Sequence, residues 1–134
     1  MAIDTTPEIK PTRRAGGILV VDDENSARHV LCQLLRDDGH EVQDAADGFK
    51  ALGILKEWTP DIILTDLKMP LMDGITLLKK TRELHPDITC IVMTAFASVE
   101  TAVQSMKSGA NDYLTKPLNF DAVELVIQRS LERI

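Results

Sequence analysis

The sequence predicts an α/β domain, a doubly wound three-layer sandwich in which helices cover both faces of a parallel five-stranded sheet. Short β-branched runs alternate with helical patterns five times, which is typical of right-handed βαβ crossovers. Three of the runs, at residues 18–21, 62–64 and 88–93, are almost entirely apolar, as strands buried on both faces should be. The 134 residues suffice for one domain with a single core.

The elements follow in order along the chain. The strands are predicted at residues 17–22, 40–44, 61–65, 88–93 and 111–115, and the helices at 24–37, 47–57, 73–84, 98–108 and from 119 to the end. Three helices show apolar stripes with helical spacing: Ala27, Val30, Leu31, Leu34 and Leu35 in the first, Val99, Ala102, Val103 and Met106 in the fourth, and Val123, Val126, Ile127, Leu131 and Ile134 in the last. Gly39 is predicted to end the first helix, while Ser98 should cap the start of the fourth and Gly109 should end it.

The two ends of the chain differ in character. Residues 1–16 are polar, contain two prolines and show no periodicity, which predicts a disordered lead-in before a domain at 17–134. The last helix has no glycine stop. Its final residues are therefore expected either to pack on their own sheet, or to continue into a linker of a longer native chain or form a dimer contact.

Composition excludes several classes of function. A net charge of -6 argues against direct binding of nucleic acid or an anionic membrane, because both need a basic surface. No window approaches the roughly 18 apolar residues of a membrane span. Cys32 and Cys90 lie in a helical and a strand pattern without a CxxC motif, so we expect reduced core thiols in a cytoplasmic protein.

Charged residues stand where three predicted strands end. Asp22 and Asp23 follow the first strand, Asp66 the third and Lys116 the fifth, and ligands of open α/β sheets bind beyond these carboxyl ends. Three crowded carboxylates need a compensating cation, and Mg²⁺ is typical where phosphate oxygens complete the shell. We expect Asp23 and Asp66 to bind it directly, Asp22 to hold a metal-bound water, and the Lys68 backbone carbonyl to add an oxygen. The alternative for residues 22–24 is an acidic helix start favoured by the helix dipole.

The same residues suggest phosphoryl chemistry. Asp66 is a candidate nucleophile that would form an acyl phosphate, and Lys116 would neutralise the transferred group unless it is an ordinary surface lysine. A cis bond before Pro117 is left open by the sequence. Thr94, at the end of the fourth strand, either donates to a phosphoryl oxygen or merely caps the strand. Tyr113, the only tyrosine, is either functional or a plain core or edge aromatic.

Taken together, these residues closely resemble the receiver domain of bacterial two-component response regulators. The matching motifs are Val20–Glu24, Leu64–Pro70 with Met72–Gly74, Met93–Ala95 and Tyr113–Pro117. The resemblance implies a flavodoxin-like, CheY-like fold with strand order 2-1-3-4-5, and phosphorylation of Asp66 by a sensor histidine kinase with Mg²⁺ held by Asp22, Asp23 and Asp66. It also implies that Thr94 and Tyr113 form a switch pair, which remodels the face made by the fourth helix, fifth strand and fifth helix.

A finer resemblance is to receivers of the NtrC type, which control activators of alternative-sigma-factor transcription. It is carried by residues 94–103, Met106–Lys107 and Gly109–Ala110. It implies output domains outside this chain and a homodimer through the remodelled face or the last helix. Lys68 and Phe96 should border the phosphoryl group and influence how fast water reaches it.

Three alternatives come from other classes. A stand-alone receiver would act by protein binding or phosphorelay. A haloacid-dehalogenase-type phosphatase also uses a strand-end aspartate with Mg²⁺, but it needs a second acid two residues later, where this chain has Lys68. A flavin carrier of the same fold needs a Ser/Thr-rich phosphate loop after the first strand, which the sequence lacks.

Overall fold

The computed structural model describes residues 14–133. The strands are β1 (Gly17–Val21), β2 (Glu41–Ala45), β3 (Ile62–Asp66), β4 (Thr89–Thr94) and β5 (Asp112–Thr115). The helices are α1 (Asn25–Asp37), α2 (Gly48–Leu55), α3 (Gly74–Leu84), α4 (Val99–Lys107) and α5 (Phe120–Glu132). Every predicted element is confirmed, with only small differences at its ends.

The five strands form one parallel sheet in the order β2-β1-β3-β4-β5. This order confirms the fold that the sequence predicts. The register pairs Val21 with Thr65, and Asp66 with Met93. The carboxyl ends of β1, β3 and β4 therefore finish at nearly the same level, which places the residues that follow them along one edge of the sheet.

Two apolar clusters cover the two faces of the sheet. One joins alternate strand residues to side chains from α1 and α5, among them Leu31, Leu35, Val123 and Ile127. The other joins the opposite strand residues to side chains from α2 and α3, among them Ala51, Leu55, Leu77 and Leu78. Successive side chains of each strand thus point into the two clusters in turn, and this burial on both faces explains why the strands are continuous apolar runs.

The predicted stripe of α1 is only partly correct. Leu31 and Leu35 are buried, but Val30 is 61% exposed and Leu34 is 38% exposed. The buried side of the helix instead includes Arg28, which is 8% exposed. The cause is an ion pair between Arg28 and Asp44 of β2, which turns this polar side chain toward the sheet.

The apolar stripe of α4 faces solvent rather than the sheet. Val99 is 82% exposed and Met106 is 47% exposed, whereas Ser105 is fully buried. The Ser105 hydroxyl donates to the carbonyl oxygen of Thr101 within the helix, so a small polar residue with a satisfied hydroxyl can face inward. The predicted ends of the helix are confirmed, with Ser98 as N-cap and Gly109 at positive φ.

Residues 14–16 of the predicted lead-in pack against the domain. The backbone N–H of Arg14 donates to Gln128 Oε1 over 3.0 Å, and Gln128 Nε2 donates back to the Arg14 carbonyl over 2.9 Å. The predicted disorder of residues 1–13 and the predicted continuation of the α5 stripe to Ile134 lie outside the described residues. Between residues 14 and 133, no helix combines the length and the apolar character that crossing a membrane requires.

The two thiols lie in the cores, as expected. Cys32 is in the α1–α5 cluster and Cys90 in the α2–α3 cluster, and both are free. Burial raises the pKa of each thiol to about 11. Both are therefore neutral and unreactive at physiological pH.

Candidate functional site

The three predicted acids meet at the edge of the sheet. Asp22 directly follows β1 and is only 2% exposed, Asp66 is the last residue of β3, and Asp23 is exposed. One carboxylate oxygen from each lies within 4.8 Å of the others. All three donors are oxygens, so the cluster has the composition of a site for a hard divalent cation.

Lys116 reaches into this cluster from the end of β5. Its Nζ atom donates to Asp22 Oδ2 over 2.9 Å and to Asp66 Oδ2 over 3.1 Å. The lysine is therefore not an ordinary surface residue. The peptide bond from Lys116 to Pro117 is cis, which answers the question that the sequence left open.

The cluster holds more negative than positive charge. Burial raises the pKa of Asp66, although the hydrogen bond from Lys116 acts in the opposite direction. Burial by itself would lower the pKa of Lys116, but its hydrogen bonds to Asp22 and Asp66 outweigh burial and raise it. The surroundings thus favour the charged form of the Lys116 ammonium and disfavour the ionised form of the Asp66 carboxylate.

Local sequence explains why the two acidic loops hold these positions. Glu24 accepts a hydrogen bond from the Ala27 N–H and so caps α1, which leaves Asp22 and Asp23 before the helix. The acidic-helix-start interpretation therefore applies to Glu24 alone. On the other loop, Gly74 donates to the Leu67 carbonyl over 2.8 Å. A Cβ atom at Gly74 would collide with the Asp66 carbonyl, so only glycine lets α3 begin this close to the site.

Thr94 and its neighbours form the wall on the β4 side. Thr94 is 1% exposed, and its hydroxyl oxygen accepts a hydrogen bond from the Phe96 N–H over 3.0 Å. The Lys68 Nζ atom lies 4.8 Å from the centroid of the Phe96 ring, within the range of a cation–π contact. These three residues line part of a pocket of about 630 Å³. The Lys68 backbone carbonyl stays a prediction as a metal ligand.

Tyr113 is joined to α4 rather than to the acids. Its hydroxyl lies 2.8 Å from the Thr101 hydroxyl. Thr101 also accepts a hydrogen bond from the Ser98 N–H over 3.1 Å, as half of the capping box that starts α4. Sequence reasoning missed Thr101, because the usual capping-box signal has Glu or Gln three residues after the N-cap serine, and this chain has threonine there. It also missed Arg28, whose guanidinium donates to the Asp22 carbonyl over 2.8 Å.

Comparison with known proteins identifies the family to which the chain belongs. A family model described as "Response regulator receiver domain" matches residues 18–128. The transcriptional regulatory protein ZraR of Salmonella typhimurium is 46% identical over 114 residues, which cover 85% of this chain and 26% of that protein. The DNA-binding transcriptional regulator NtrC of the same organism is 38% identical, covering 87% of this chain and 25% of that protein.

A solved structure agrees with these sequence matches. NtrX from Brucella abortus superposes with a TM-score of 0.85 at 34% identity, covering 90% of this chain and 28% of that one. The chain thus spans about a quarter of the length of these three relatives. With its fold, its acidic cluster and the match over residues 18–128, the chain belongs to the response regulator receiver domains of two-component systems and is related to the receivers of NtrC-type activators.

Proposed function

We propose that this receiver accepts a phosphoryl group on Asp66 from a sensor histidine kinase, in a reaction that needs Mg²⁺. The observation that carries the proposal is the surroundings of Asp66. Its carboxylate lies in an acidic cluster within 4.8 Å, and the Lys116 ammonium lies 3.1 Å away. A carboxylate placed between a cation site and a fixed ammonium is arranged to receive an anionic group.

The donor set fits Mg²⁺. Asp22, Asp23 and Asp66 supply only hard oxygens, and the exposure of Asp23 leaves one side of the site open to water, which Mg²⁺ usually retains in its shell. We propose that Asp23 and Asp66 bind the ion directly, that Asp22 acts through a bound water, and that the Lys68 carbonyl adds an oxygen. When bound, the ion would neutralise the acids and hold the phosphoryl oxygens in place.

Phosphoryl transfer then uses the residues of this chain in separate roles. A carboxylate oxygen of Asp66 attacks phosphorus, the bond from phosphorus to the kinase histidine breaks, and an acyl phosphate remains on Asp66. Lys116 balances the charge of the group that arrives. Water later attacks the phosphorus, which releases inorganic phosphate and restores the carboxylate, so the chain is a self-modifying switch rather than an enzyme with a separate substrate.

Readout begins at Thr94. In the unmodified protein its hydroxyl oxygen accepts from Phe96, and in the phosphorylated protein we propose that the hydroxyl donates to a phosphoryl oxygen. Tyr113 would then turn toward the space beside Thr94 and give up its contact with Thr101. The α4-β5-α5 face changes as a population shift, whose size is limited by the contacts that only the active state makes.

A groove beside the acids supports docking of the kinase. It encloses about 420 Å³ between α1 and the loop after β5, and Asp22 and Lys116 belong to its lining. Its apolar wall includes the exposed side chains of Val30 and Leu34. An apolar helix face laid against this wall would bring a phosphohistidine to Asp66.

The names of the relatives support a transcriptional output. ZraR is described as a transcriptional regulatory protein and NtrC as a DNA-binding transcriptional regulator, and this chain covers only about a quarter of each. We propose that the receiver works in the cytoplasm and controls comparable output domains outside this chain, through a homodimer formed by the α4-β5-α5 face or the C-terminal helix. The acidic receiver itself takes no part in DNA binding.

The phosphoacceptor is tested by incubation with acetyl phosphate and Mg²⁺, followed by intact-mass measurement. We expect addition of one phosphoryl group, its loss in Asp66→Asn, and its loss when EDTA removes the metal. Asp87→Asn, which removes an exposed carboxylate just before β4, is the matched control and should be labelled like the unmodified chain. Undiminished labelling of Asp66→Asn would contradict the proposal.

A further inference from the structure

Arg28 is a buried cation on the acidic side of the site. It lies in the first turns of α1 and is 8% exposed. Its Nε atom pairs with Asp44 Oδ2 of β2 over 2.7 Å, and its Nη1 atom donates to the carbonyl oxygen of Asp22 over 2.8 Å. The guanidinium thus links a helix, a neighbouring strand and the loop that carries two acids.

The bond to Asp22 acts on one particular peptide group. The carbonyl of Asp22 belongs to the peptide that joins Asp22 to Asp23, so the orientation of this peptide fixes the position of the Asp23 Cα atom and limits the directions that its side chain can take. The Asp22 side chain has partners of its own, because Oδ1 accepts from the Glu24 N–H over 3.0 Å and Oδ2 accepts from Lys116 over 2.9 Å.

Asp23 lacks such support. Its side chain is exposed, and among residues 14–133 no group donates a hydrogen bond to its carboxylate. The direction of its side chain therefore depends on its backbone, and Arg28 holds that backbone through the preceding carbonyl.

We infer that Arg28 is a positioning residue for the metal site: by holding the peptide between Asp22 and Asp23, it keeps Asp23 oriented for a divalent cation. The inference rests on the proposed Mg²⁺ site and adds to it a residue that does not contact the ion. Groups that orient the ligands of a metal commonly change its affinity by about 10- to 100-fold when they are removed. Here the ligand loop is exposed on one side, so we expect the lower end of that range.

The charge of Arg28 and its positioning role predict opposite effects of its removal on Mg²⁺ affinity. A cation close to the acids repels Mg²⁺, so removal of its charge alone should tighten binding. Loss of the fixed peptide should weaken Mg²⁺ binding, because part of the binding free energy must then be used to order the loop. The sign of the change in Kd therefore separates the two effects.

The experiment measures the Kd of Mg²⁺ by isothermal titration calorimetry on the full chain. Arg28→Met keeps an apolar stem of similar length and should bind about tenfold more weakly than the unmodified protein. Arg28→Lys can make one of the two hydrogen bonds but not both, so its Kd should lie between those of Arg28→Met and the unmodified protein. Asp44→Asn keeps an oxygen that can accept from Arg28 Nε, so Arg28 stays turned toward the sheet with its bond to Asp22 in place, and the Kd should stay within about twofold of that of the unmodified protein.

Arg82→Met is the matched control for loss of a structural arginine. At the opposite end of the sheet, Arg82 donates to the carbonyl oxygens of Pro86, Ile88 and Gly109. Its replacement should lower the unfolding midpoint without changing the Kd of Mg²⁺.

Equal or tighter Mg²⁺ binding in Arg28→Met than in Arg82→Met would overturn the inference. Should Arg28→Met fail to fold, the comparison of Arg28→Lys with Asp44→Asn decides in the same way, and equal affinities would overturn it. Failure of the proposed function looks different, because the unmodified protein would then show no Mg²⁺ binding and no labelling of Asp66.

Discussion

Replacement of Asp66 by asparagine should stabilise the protein in the absence of metal. The change removes the negative charge but keeps the shape of the side chain and an oxygen that can accept from Lys116. Burial raises the pKa of Asp66 in the folded state, which means that the fold favours the neutral form of this group. The amide is neutral at every pH and avoids the cost of ionisation.

The distances in the site set the size of the effect. The three carboxylate oxygens lie within 4.8 Å of one another, and at an effective dielectric constant of about 20 two such charges repel by about 3.5 kcal/mol. Asp66 experiences two of these repulsions and one attraction of about 5 kcal/mol to the Lys116 ammonium at 3.1 Å. The net cost of ionising Asp66 is therefore about 2 kcal/mol. Because solvent screens the exposed Asp23, we expect the free energy of unfolding of the variant to be higher by about 1–2 kcal/mol.

Thermal unfolding followed by far-UV circular dichroism in EDTA measures this gain. A change of that size should raise the melting temperature by about 4–8 °C. Because the folded pKa of Asp66 is raised, the advantage should be present near neutral pH and disappear as the pH falls through that pKa, where the carboxyl of the unmodified protein takes up its own proton. Added Mg²⁺ should stabilise the unmodified protein more than the variant, since the variant lacks one ligand.

The control separates the site from the overall charge. Asp87→Asn changes the net charge by the same amount at an exposed position and should leave the melting temperature nearly unchanged. If Asp66→Asn proved equal to Asp87→Asn or less stable than the unmodified protein, the site would not be under the electrostatic strain that its geometry implies. Persistence of the gain at acidic pH would refute the same reasoning.

Two further variants test the β4 side of the site. Phe96→Ala removes the ring beneath the Lys68 ammonium. The contact is worth about 0.5–1 kcal/mol, so its loss should make Asp66 lose its phosphoryl group about two- to fivefold faster, as measured by release of inorganic phosphate. Thr101→Val removes the hydroxyl shared by the α4 capping box and Tyr113 and should cost about 1 kcal/mol in urea unfolding, with faster hydrogen exchange in the first turn of α4. Thr76→Val, at an exposed position of α3, is the control and should change neither the stability in urea nor hydrogen exchange in α4. Equal exchange rates in the two threonine variants would argue against the role of Thr101.

The acidic site could be predicted because its residues follow strands directly. Once the apolar runs are assigned to a parallel sheet, Asp22, Asp66 and Lys116 must lie along one edge, whatever the helices do. The register confirms this arrangement, since Val21 pairs with Thr65, Asp66 with Met93, and Thr94 with Thr115. The order of the elements along the chain and one rule of sheet geometry were sufficient to predict where these three residues lie.

The helix faces could not be predicted in the same way. Periodicity shows that α1 has an apolar side, but it does not give the rotation of that side relative to the sheet. The structure turns Val30 outward and Arg28 inward because Arg28 finds Asp44 on β2, a partner 16 residues away. In α4, Val99 is exposed while Ser105 is buried, a choice that depends on local hydrogen bonds rather than on hydropathy.

The two sides of the site are held with different strength, and this difference suits a switch. On the acidic side, Asp22 has hydrogen-bond partners at its N–H, at its carbonyl and at both carboxylate oxygens, so the loop beside the proposed acceptor Asp66 is firmly held. On the other side, α4 presents its apolar residues to solvent and is tied to β5 through the hydroxyl pair of Thr101 and Tyr113. A phosphoryl group can move an equilibrium only by its differential contacts with the two states. Weak attachment of α4 lowers the free energy that those contacts must supply, so we expect the proposed phosphorylation of Asp66 to be sufficient to reposition this helix.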